Sequence, residues 1–167
     1  MKITGMWYKT LILLLIIMNI GCDQVSKCLV RDNIAYYEQV ELIRDNLILT
    51  KVENTGGFLG FGSAIHPVLK KILFLAFPAL ILIILIGFIM IRTRENIYFI
   101  IGISFIIGGG IGNIFDRIVH GSVTDFLHID MGIFKTGIFN LADVSIMFGT
   151  ACILVYNLTK RKKVTAG

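Results

Sequence analysis

Long apolar runs that are almost free of charge dominate the chain. Residues 72–91 and 97–115 contain no charged side chain, and residues 136–159 contain only Asp143. A further run begins near the N-terminus. It is mostly apolar over residues 10–22 and becomes polar over residues 23–27. Each run is close to the roughly 20 residues that a membrane-spanning helix needs. The pattern predicts four transmembrane helices, at about residues 7–30, 70–91, 97–117 and 138–159.

The segment between the first two predicted helices, about residues 31–69, is too long for a simple connection. Within it, Leu47–Glu53 is rich in residues typical of strands, and Asn54–Gly57 has the composition of a turn. We therefore predict a membrane all-α bundle of four transmembrane helices with a small extracytoplasmic β-cradle, forming one integral membrane domain over residues 1–167. For the aromatic and glycine-rich residues 58–62, an ordinary hydrophobic loop packed on the bundle is the alternative.

Composition supports the membrane assignment. Of the 167 residues, 56% are hydrophobic and only 16% are charged, with a mean hydropathy of +0.82. Soluble domains average roughly 25% charged residues, so this chain cannot cover a water-facing surface. Three cysteines are too few for a disulfide scaffold.

The distribution of charge predicts an orientation. The two ends and the connection between the second and third helices hold 8 basic residues and 1 acidic residue: Lys2, Lys9, Arg92, Arg94, Lys160, Arg161, Lys162 and Lys163 against Glu95. Residues 31–71 hold 5 basic and 5 acidic residues, and residues 116–136 hold 2 and 3. By the positive-inside rule, both termini are cytoplasmic. The basic excess therefore reflects topology, and we expect no nucleic-acid partner.

The N-terminal run has one other interpretation. Lys9, the apolar residues 11–20 and then Cys22 resemble a lipoprotein signal with its lipidation cysteine. Asn19 stands where such signals have an aliphatic residue, and three further apolar runs follow. We expect the first run to be a retained helix.

Polar residues inside or beside the apolar runs are the candidates for chemistry. A charge at the centre of a membrane helix costs about 2.5–3.5 kcal/mol, so such residues usually face a polar interior and mark a site. The candidates are Asp23, Lys27, Asn113, Asp116, Arg117, Asp125, Asn140 and Asp143. Asp23 and Lys27 are four residues apart, so on a helix they share one face and can pair. The sequence Asn-x-x-Asp occurs at the outer ends of both the third and the fourth helix, and this spacing places each pair on one helix face. Asp125 lies in the predicted loop between these helices.

These residues favour carboxylate chemistry. No serine triad, HExxH sequence or zinc spacing is present, and we expect no metal and no cofactor. Two neighbouring carboxyls cannot both ionise easily, and such a pair can activate water as a base and an acid. Spacing alone does not decide which two of Asp23, Asp116, Asp125 and Asp143 form the pair. Structural ion pairs with Lys27 and Arg117 are one alternative, and a proton-coupled transporter or channel is another.

Five motifs, in this order, resemble the bacterial lipoprotein signal peptidase family, the type II signal peptidases. They are Asp23-Gln24-Val25-Ser26-Lys27, Asn54-Thr55-Gly56, Gly112-Asn113-Ile114-Phe115-Asp116-Arg117, Gly121-Ser122-Val123-Thr124-Asp125-Phe126 and Phe139-Asn140-Leu141-Ala142-Asp143. The resemblance covers nearly the whole chain. After Gly56 the family often has Ala-Ala-Phe, whereas this chain continues with Gly57-Phe58-Leu59.

The resemblance implies an aspartic endopeptidase of the bacterial inner membrane whose site faces outward. It implies that Asp125 and Asp143 are catalytic, and that other residues bind substrate or support them: Asp23, Lys27, Asn54, Gly56, Asn113, Asp116, Arg117, Val123, Asn140 and Ala142. The implied substrate is a prolipoprotein with a diacylglyceryl group on cysteine, cut just before that cysteine within the membrane lipid. Globomycin-type antibiotics are the implied inhibitors.

Overall fold

The computed structural model describes residues 2–4, 6–43, 46–57, 62, 64–92 and 94–165. Within these residues, four helices are long and apolar enough to cross a membrane, as predicted: Met6–Asn33, Pro67–Ile91, Ile97–Val119 and Leu141–Lys160. The first is α1. The second joins α2 (Pro67–Lys71), a π-helical turn (Ile72–Ala76) and α3 (Phe77–Ile91). The third is α4, and the fourth is part of α5 (Leu141–Thr165).

Large apolar side chains cover the outside of the bundle. Leu14, Ile17, Ile84 and Leu154 are each more than half exposed. In water such a surface would be unfavourable, but in the hydrocarbon core of a bilayer it is fully compatible with the solvent. The four helices therefore form a multi-pass membrane protein.

The centre of the bundle is α4, and its glycines bring the neighbouring helices close. A Cβ placed on Gly102 would lie 2.8 Å from the carbonyl oxygen of Gly149 on α5. A Cβ on Gly108 would lie 2.6 Å from the Cβ of Asn19 on α1. Small residues allow this packing because no hydrophobic driving force holds helices together in lipid. Gly102 and Gly108 thus allow α4 to approach α5 and α1 closely.

At one end of the bundle, β1 (Lys2–Thr4) pairs antiparallel with β4 (Arg94–Asn96), which immediately precedes α4. This pairing connects the N-terminus to the connection between the second and third spans. The apolar pattern gave no sign of it, because each strand has only three residues.

At the opposite end is an antiparallel sheet in the order β2-β3-β5, formed by Gln39–Ile43, Leu47–Asn54 and Val123–Ile129. The predicted strand and turn are found at β3 and the residues that follow it. Two expectations are corrected. Asp125 lies on β5 and not in a loop, and the sheet takes in this strand from beyond residues 31–69. Pairing between residues about 70 positions apart leaves no local sequence signal.

Candidate active site

Helix α5 begins with a reciprocal cap that places Asp143. The side-chain oxygen of Asn140 accepts a hydrogen bond from the backbone N–H of Asp143 at 3.0 Å. In return, Asp143 Oδ2 accepts one from the backbone N–H of Asn140 at 3.4 Å. This is a capping box, which satisfies two backbone donors at the start of a helix. The Asn-x-x-Asp spacing therefore fixes the Asp143 carboxylate at the N-terminal end of α5.

Asp125 projects from β5 toward the same place and is held by two amides. Its Oδ2 accepts a hydrogen bond from Asn54 Nδ2 on β3 at 2.8 Å, and its Oδ1 accepts one from Asn140 Nδ2 at 2.6 Å. Only 3% of Asp125 is exposed. Burial raises the pKa of Asp125 to about 6, although the hydrogen bond from Asn54 acts in the opposite direction and the charge of Asp143 adds to the rise.

The carboxylate of Asp143 also receives a hydrogen bond from a side-chain amide. Asn113 Nδ2 donates to Asp143 Oδ1 at 2.9 Å. Asn140 thus hydrogen-bonds to both carboxylates, through its side chain to Asp125 and through its backbone to Asp143. We call Asp125 and Asp143 the aspartate pair. In the part of the chain that the structure describes, neither of them forms an ion pair with lysine or arginine.

The other two candidate acids have different neighbours. Lys27 Nζ lies 2.8 Å from Asp23 Oδ2 and 2.9 Å from Asp116 Oδ2, and all three side chains are fully buried. Arg31 NH2 lies 3.0 Å from Asp116 Oδ1. We call Asp23, Lys27, Arg31 and Asp116 the ion-pair cluster. It holds two acids and two bases, so its formal charge balances, as a buried charged group requires.

The ion-pair cluster fastens α1 to both α4 and α5. Asp23 Oδ1 accepts a hydrogen bond from the backbone N–H of Ala142 at 2.9 Å. Gly112 leaves room for Asp23, since a Cβ there would lie 2.5 Å from Asp23 Oδ2. Gln24 Nε2 donates to the Gly112 carbonyl and to Asp116 Oδ1, each at 3.2 Å. The predicted pairing of Asp23 with Lys27 is found, and its role is to join three helices.

Arg117 does not do what the ion-pair alternative suggests. Its NH2 donates to the carbonyl oxygen of Gly56 at 2.8 Å, and its NH1 donates to the carbonyl oxygen of Asn113 at 3.1 Å. Among the described residues, no carboxylate lies within ion-pair distance of it. Arg117 therefore fixes the end of β3 against α4, while Asn54 Oδ1 accepts from the Gly56 N–H at 2.9 Å.

A cavity of about 640 Å³ opens beside the aspartate pair. Seven of the twelve site residues expected from sequence line it: Asn54, Asn113, Arg117, Val123, Asp125, Asn140 and Asp143. The other five lie behind this wall: Asp23, Lys27, Gly56, Asp116 and Ala142. The rest of the lining is mostly apolar, with Phe74, Pro78, Ile114, Ile146 and Met147. Six polar side chains together with an apolar wall suit a substrate that has both a polar peptide part and an apolar or lipid part.

Phe74 gives the glycine-rich stretch a structural role. It lies in the π-helical turn of the second span, a feature that often occurs at functional sites. Cβ atoms on Gly57 and Gly62 would lie 2.7 and 2.8 Å from its ring. Two glycines thus pack on this ring at the cavity wall. Residues 58–61 lie outside the described part of the chain.

Sequence reasoning missed several polar residues of this end of the bundle. Gln24 lies three residues before Lys27 and Arg31 four residues after it, so helical spacing could have indicated both. Thr124 and Glu53 meet only because β3 pairs with β5, and nothing local marks them. Within the described residues, no three His, Cys, Asp or Glu side chains are grouped in a way that could hold a metal ion.

Comparison with known proteins identifies the family. Residues 15–159 match the family model described as "Signal peptidase (SPase) II". The chain belongs to the signal peptidase II family. It is therefore a membrane peptidase of the aspartic class, and the transporter or channel alternative is not favoured.

Individual relatives agree over nearly the whole length. The chain is 32% identical over 148 residues to a lipoprotein signal peptidase of Enterococcus faecalis, covering 89% of this chain and 88% of the relative. It is 36% identical over 159 residues to a lipoprotein signal peptidase of Borreliella burgdorferi, covering 92% of each. It is also similar to a bacterial membrane enzyme solved by the in meso method at 2.3 Å resolution, with a TM-score of 0.81, 27% identity and coverage of 91% and 90%. The predicted fold class, with four spanning helices and a small sheet, is confirmed.

Proposed function

We propose that this chain removes signal peptides from diacylglyceryl-modified prolipoproteins, cutting just before the lipidated cysteine, and that Asp125 and Asp143 are its catalytic residues. The observation that carries the assignment of residues is the difference in partners among the four acids. Asp23 and Asp116 are neutralised by Lys27 and Arg31, whereas Asp125 and Asp143 are held by amides and line the cavity.

Amide partners suit a pair of carboxyls that must exchange protons. Amides orient both carboxylates without supplying the positive charge that would keep them ionised. The raised pKa of Asp125, about 6, is consistent with a proton held between the two groups near neutral pH. Because the two carboxyls titrate as a unit, this proton belongs to the pair.

The reaction follows from that shared proton. One carboxylate removes a proton from water, whose oxygen attacks the scissile carbonyl carbon, while the other carboxyl donates its proton to the carbonyl oxygen. Collapse of the tetrahedral intermediate breaks the C–N bond, and a proton passes to the departing amine. The products are the free carboxyl end of the signal peptide and a new amino terminus on the lipidated cysteine.

The cavity offers both environments that such a substrate needs. Its polar wall, formed by Asn54, Asn113, Arg117 and Asn140 with the aspartate pair, suits the peptide backbone. Its apolar wall, which includes Phe74, Ile146 and Met147, suits apolar side chains and acyl chains. We place globomycin-type inhibitors in the same cavity.

The orientation is also part of the proposal. The connection that carries β4, and both termini, have the basic excess, so we place that end of the bundle in the cytoplasm. The sheet β2-β3-β5 and the aspartate pair then lie at the outer face of the bacterial inner membrane. A reporter fused to the C-terminus, active only in the cytoplasm, tests this. A reporter that is active only outside the membrane contradicts it.

The test of function is cleavage of a diacylglyceryl-modified prolipoprotein by the purified protein. Wild type should release the signal peptide, and Asp125→Asn and Asp143→Asn should each lose at least about 1,000-fold in kcat, because asparagine keeps the shape and removes the titratable proton. The matched control is Asp130→Asn. Asp130 is a partly exposed acid outside the cavity lining, and it pairs with the exposed Lys135 at 2.7 Å in the hairpin after β5.

The outcomes separate the two parts of the proposal. If wild type leaves the substrate intact, the proposed substrate is wrong. If wild type cleaves it and either pair variant cleaves at a rate near wild type while folded, the proposed catalytic pair is wrong. Asp130→Asn should cleave at the wild-type rate.

A further inference from the structure

Thr124 is the residue before Asp125, and its side chain lies on the other face of β5. It is fully buried. Its hydroxyl accepts a hydrogen bond from Arg31 Nε at 2.8 Å and donates one to Glu53 Oε1 at 2.7 Å. A hydroxyl has one donor and two acceptor positions, so this one is used in both senses. Thr124 thus joins α1 to β3 through β5.

Arg31 connects this hydroxyl to the helix bundle. Its NH2 lies 3.0 Å from Asp116 Oδ1 on α4, so the guanidinium has one nitrogen on the bundle and another on the sheet. Its backbone carbonyl accepts a hydrogen bond from Lys51 Nζ on β3 at 3.1 Å. The rigid fork of arginine suits such a bridge, because its donors point in fixed directions. The end of α1 is therefore fixed to the sheet at two points.

Glu53 accepts hydrogen bonds from the two residues of this segment that flank Val123. One oxygen accepts from Thr124, and the other accepts from the hydroxyl of Ser122. Ser122 and Thr124 are two residues apart, so their side chains share one face of the extended chain. In the ladder, Glu53 is opposite Thr124, and Val52 is opposite Asp125. These bonds hold the register that brings Asn54 to Asp125 at 2.8 Å.

We propose that Thr124 is a positioning residue for Asp125, acting through Arg31 and Glu53. Asp125 must meet Asn54 on β3 and Asn140 on α5 at the same time. Thr124 fixes β5 against both α1 and β3. It therefore sets the position of β5 along its neighbours and its rotation about the strand axis, and both determine where the Asp125 carboxylate lies. This inference rests on the proposed catalytic role of Asp125.

The experiment compares Thr124→Val with Thr124→Ser. Valine has nearly the same shape but leaves Arg31 Nε and Glu53 Oε1 without their partner, whereas serine keeps the hydroxyl. A misplacement of about 1 Å in a reacting group can cost roughly 100-fold in rate. We expect Thr124→Val to lower kcat by about 10- to 100-fold with KM within about threefold of wild type, and Thr124→Ser to stay within about threefold in kcat.

Thr50→Val is the matched control, since Thr50 is a buried threonine of β3, 5% exposed, outside this network. It should leave kcat unchanged. Three results would overturn the proposal: a wild-type kcat in Thr124→Val, a serine variant as slow as the valine variant, or an equal loss in Thr50→Val.

A second measurement does not depend on the substrate. Hydrogen–deuterium exchange of the β5 amides, in protein reconstituted in lipid nanodiscs, should be faster in Thr124→Val than in wild type and Thr124→Ser. Unchanged exchange in Thr124→Val would overturn the positioning role. Failure of wild type to cleave the prolipoprotein would instead count against the proposed function, while the exchange comparison would still decide whether Thr124 holds the strand.

Discussion

Two groups of acids lie side by side at the end of the bundle that carries the sheet β2-β3-β5, and they differ in almost every neighbour. In the ion-pair cluster, Asp23 and Asp116 share the ammonium group of Lys27. In the aspartate pair, the partners that the described residues supply to Asp125 and Asp143 are side-chain amides and backbone N–H groups. The same side chain thus has two roles: a neutralised acid holds helices together, and an acid without a cation remains free to exchange a proton.

Asn113 marks the boundary between the two groups. Lys27 can only donate, so it requires the oxygen of Asn113, at 3.0 Å. The amide nitrogen of Asn113 must then face Asp143. Asn140 is oriented in the same way, since its oxygen caps the N–H of Asp143 and its nitrogen faces Asp125. Lys27 of the ion-pair cluster therefore sets the orientation of the Asn113 amide, and with it the hydrogen bond that Asp143 receives.

The largest effect should come from removing the shared cation. Lys27→Met leaves Asp23 and Asp116 buried with one base, and we expect the free energy of unfolding to fall by about 3–5 kcal/mol. Thermal denaturation of the purified protein measures this. In Lys135→Met the broken ion pair lies at the surface, with Lys135 exposed and Asp130 partly exposed, and the loss should stay below about 1 kcal/mol. Equal losses in the two variants would contradict a structural role for the cluster.

A smaller loss should follow from crowding Asp23. In Gly112→Ala the new methyl group would lie 2.5 Å from Asp23 Oδ2, an atom that Lys27 already holds in place. We expect a loss of about 1–3 kcal/mol in the same denaturation experiment. Gly87→Ala is the control, because a Cβ at Gly87 meets nothing within 4 Å. The idea fails if the two alanine variants melt at the same temperature.

The aspartate pair should respond in rate more than in stability. Asn140→Ser keeps an oxygen that can cap α5 but loses the amide that donates to Asp125. We expect kcat to fall roughly 30-fold, with unfolding free energy within about 0.5 kcal/mol of wild type.

Asn96→Ser provides the comparison for this change. Asn96 caps α4 at the other end of the bundle, so we expect the Asn96→Ser variant to keep the wild-type kcat. A large drop in stability without a drop in kcat for Asn140→Ser would mean that the cap is its only role.

The smallest effect is the dependence on pH. Burial places the pKa of Asp125 at about 6, above its ordinary value, so the pair keeps its proton below about pH 6 and loses it above. Because kcat/KM reports the free enzyme, it should fall about fivefold between pH 6 and pH 7, as expected for a single ionisation. The pH profile of kcat/KM for prolipoprotein cleavage measures this. A flat profile from pH 5 to pH 8 would contradict a shared proton carried by Asp125.

Local patterns in the sequence were sufficient to predict part of this arrangement. Uncharged runs identified the four helices, and helical spacing identified the pairing of Asp23 with Lys27. Spacing left open which acids form the proposed catalytic pair, because that depends on where cations lie in space. The ion-pair alternative placed Arg117 beside a carboxylate, yet its guanidinium binds backbone carbonyls, and Arg31 lies beside Asp116 instead. The position of Asp125 on β5 depends on distant strand pairing, which leaves no periodic trace.

The order in which the pieces of the site occur along the chain has a consequence for biosynthesis. Asn54 comes early, Asp125 follows the third span, and Asp143 lies in the first turn of α5, near the C-terminal end of the sequence. A ribosome-bound chain with only three spans inserted has one of the two carboxylates and lacks Asn140, which bonds to both. The proposed hydrolytic activity thus cannot arise until α5 has joined the other three helices, so a chain with only three spans inserted should not yet cleave a prolipoprotein.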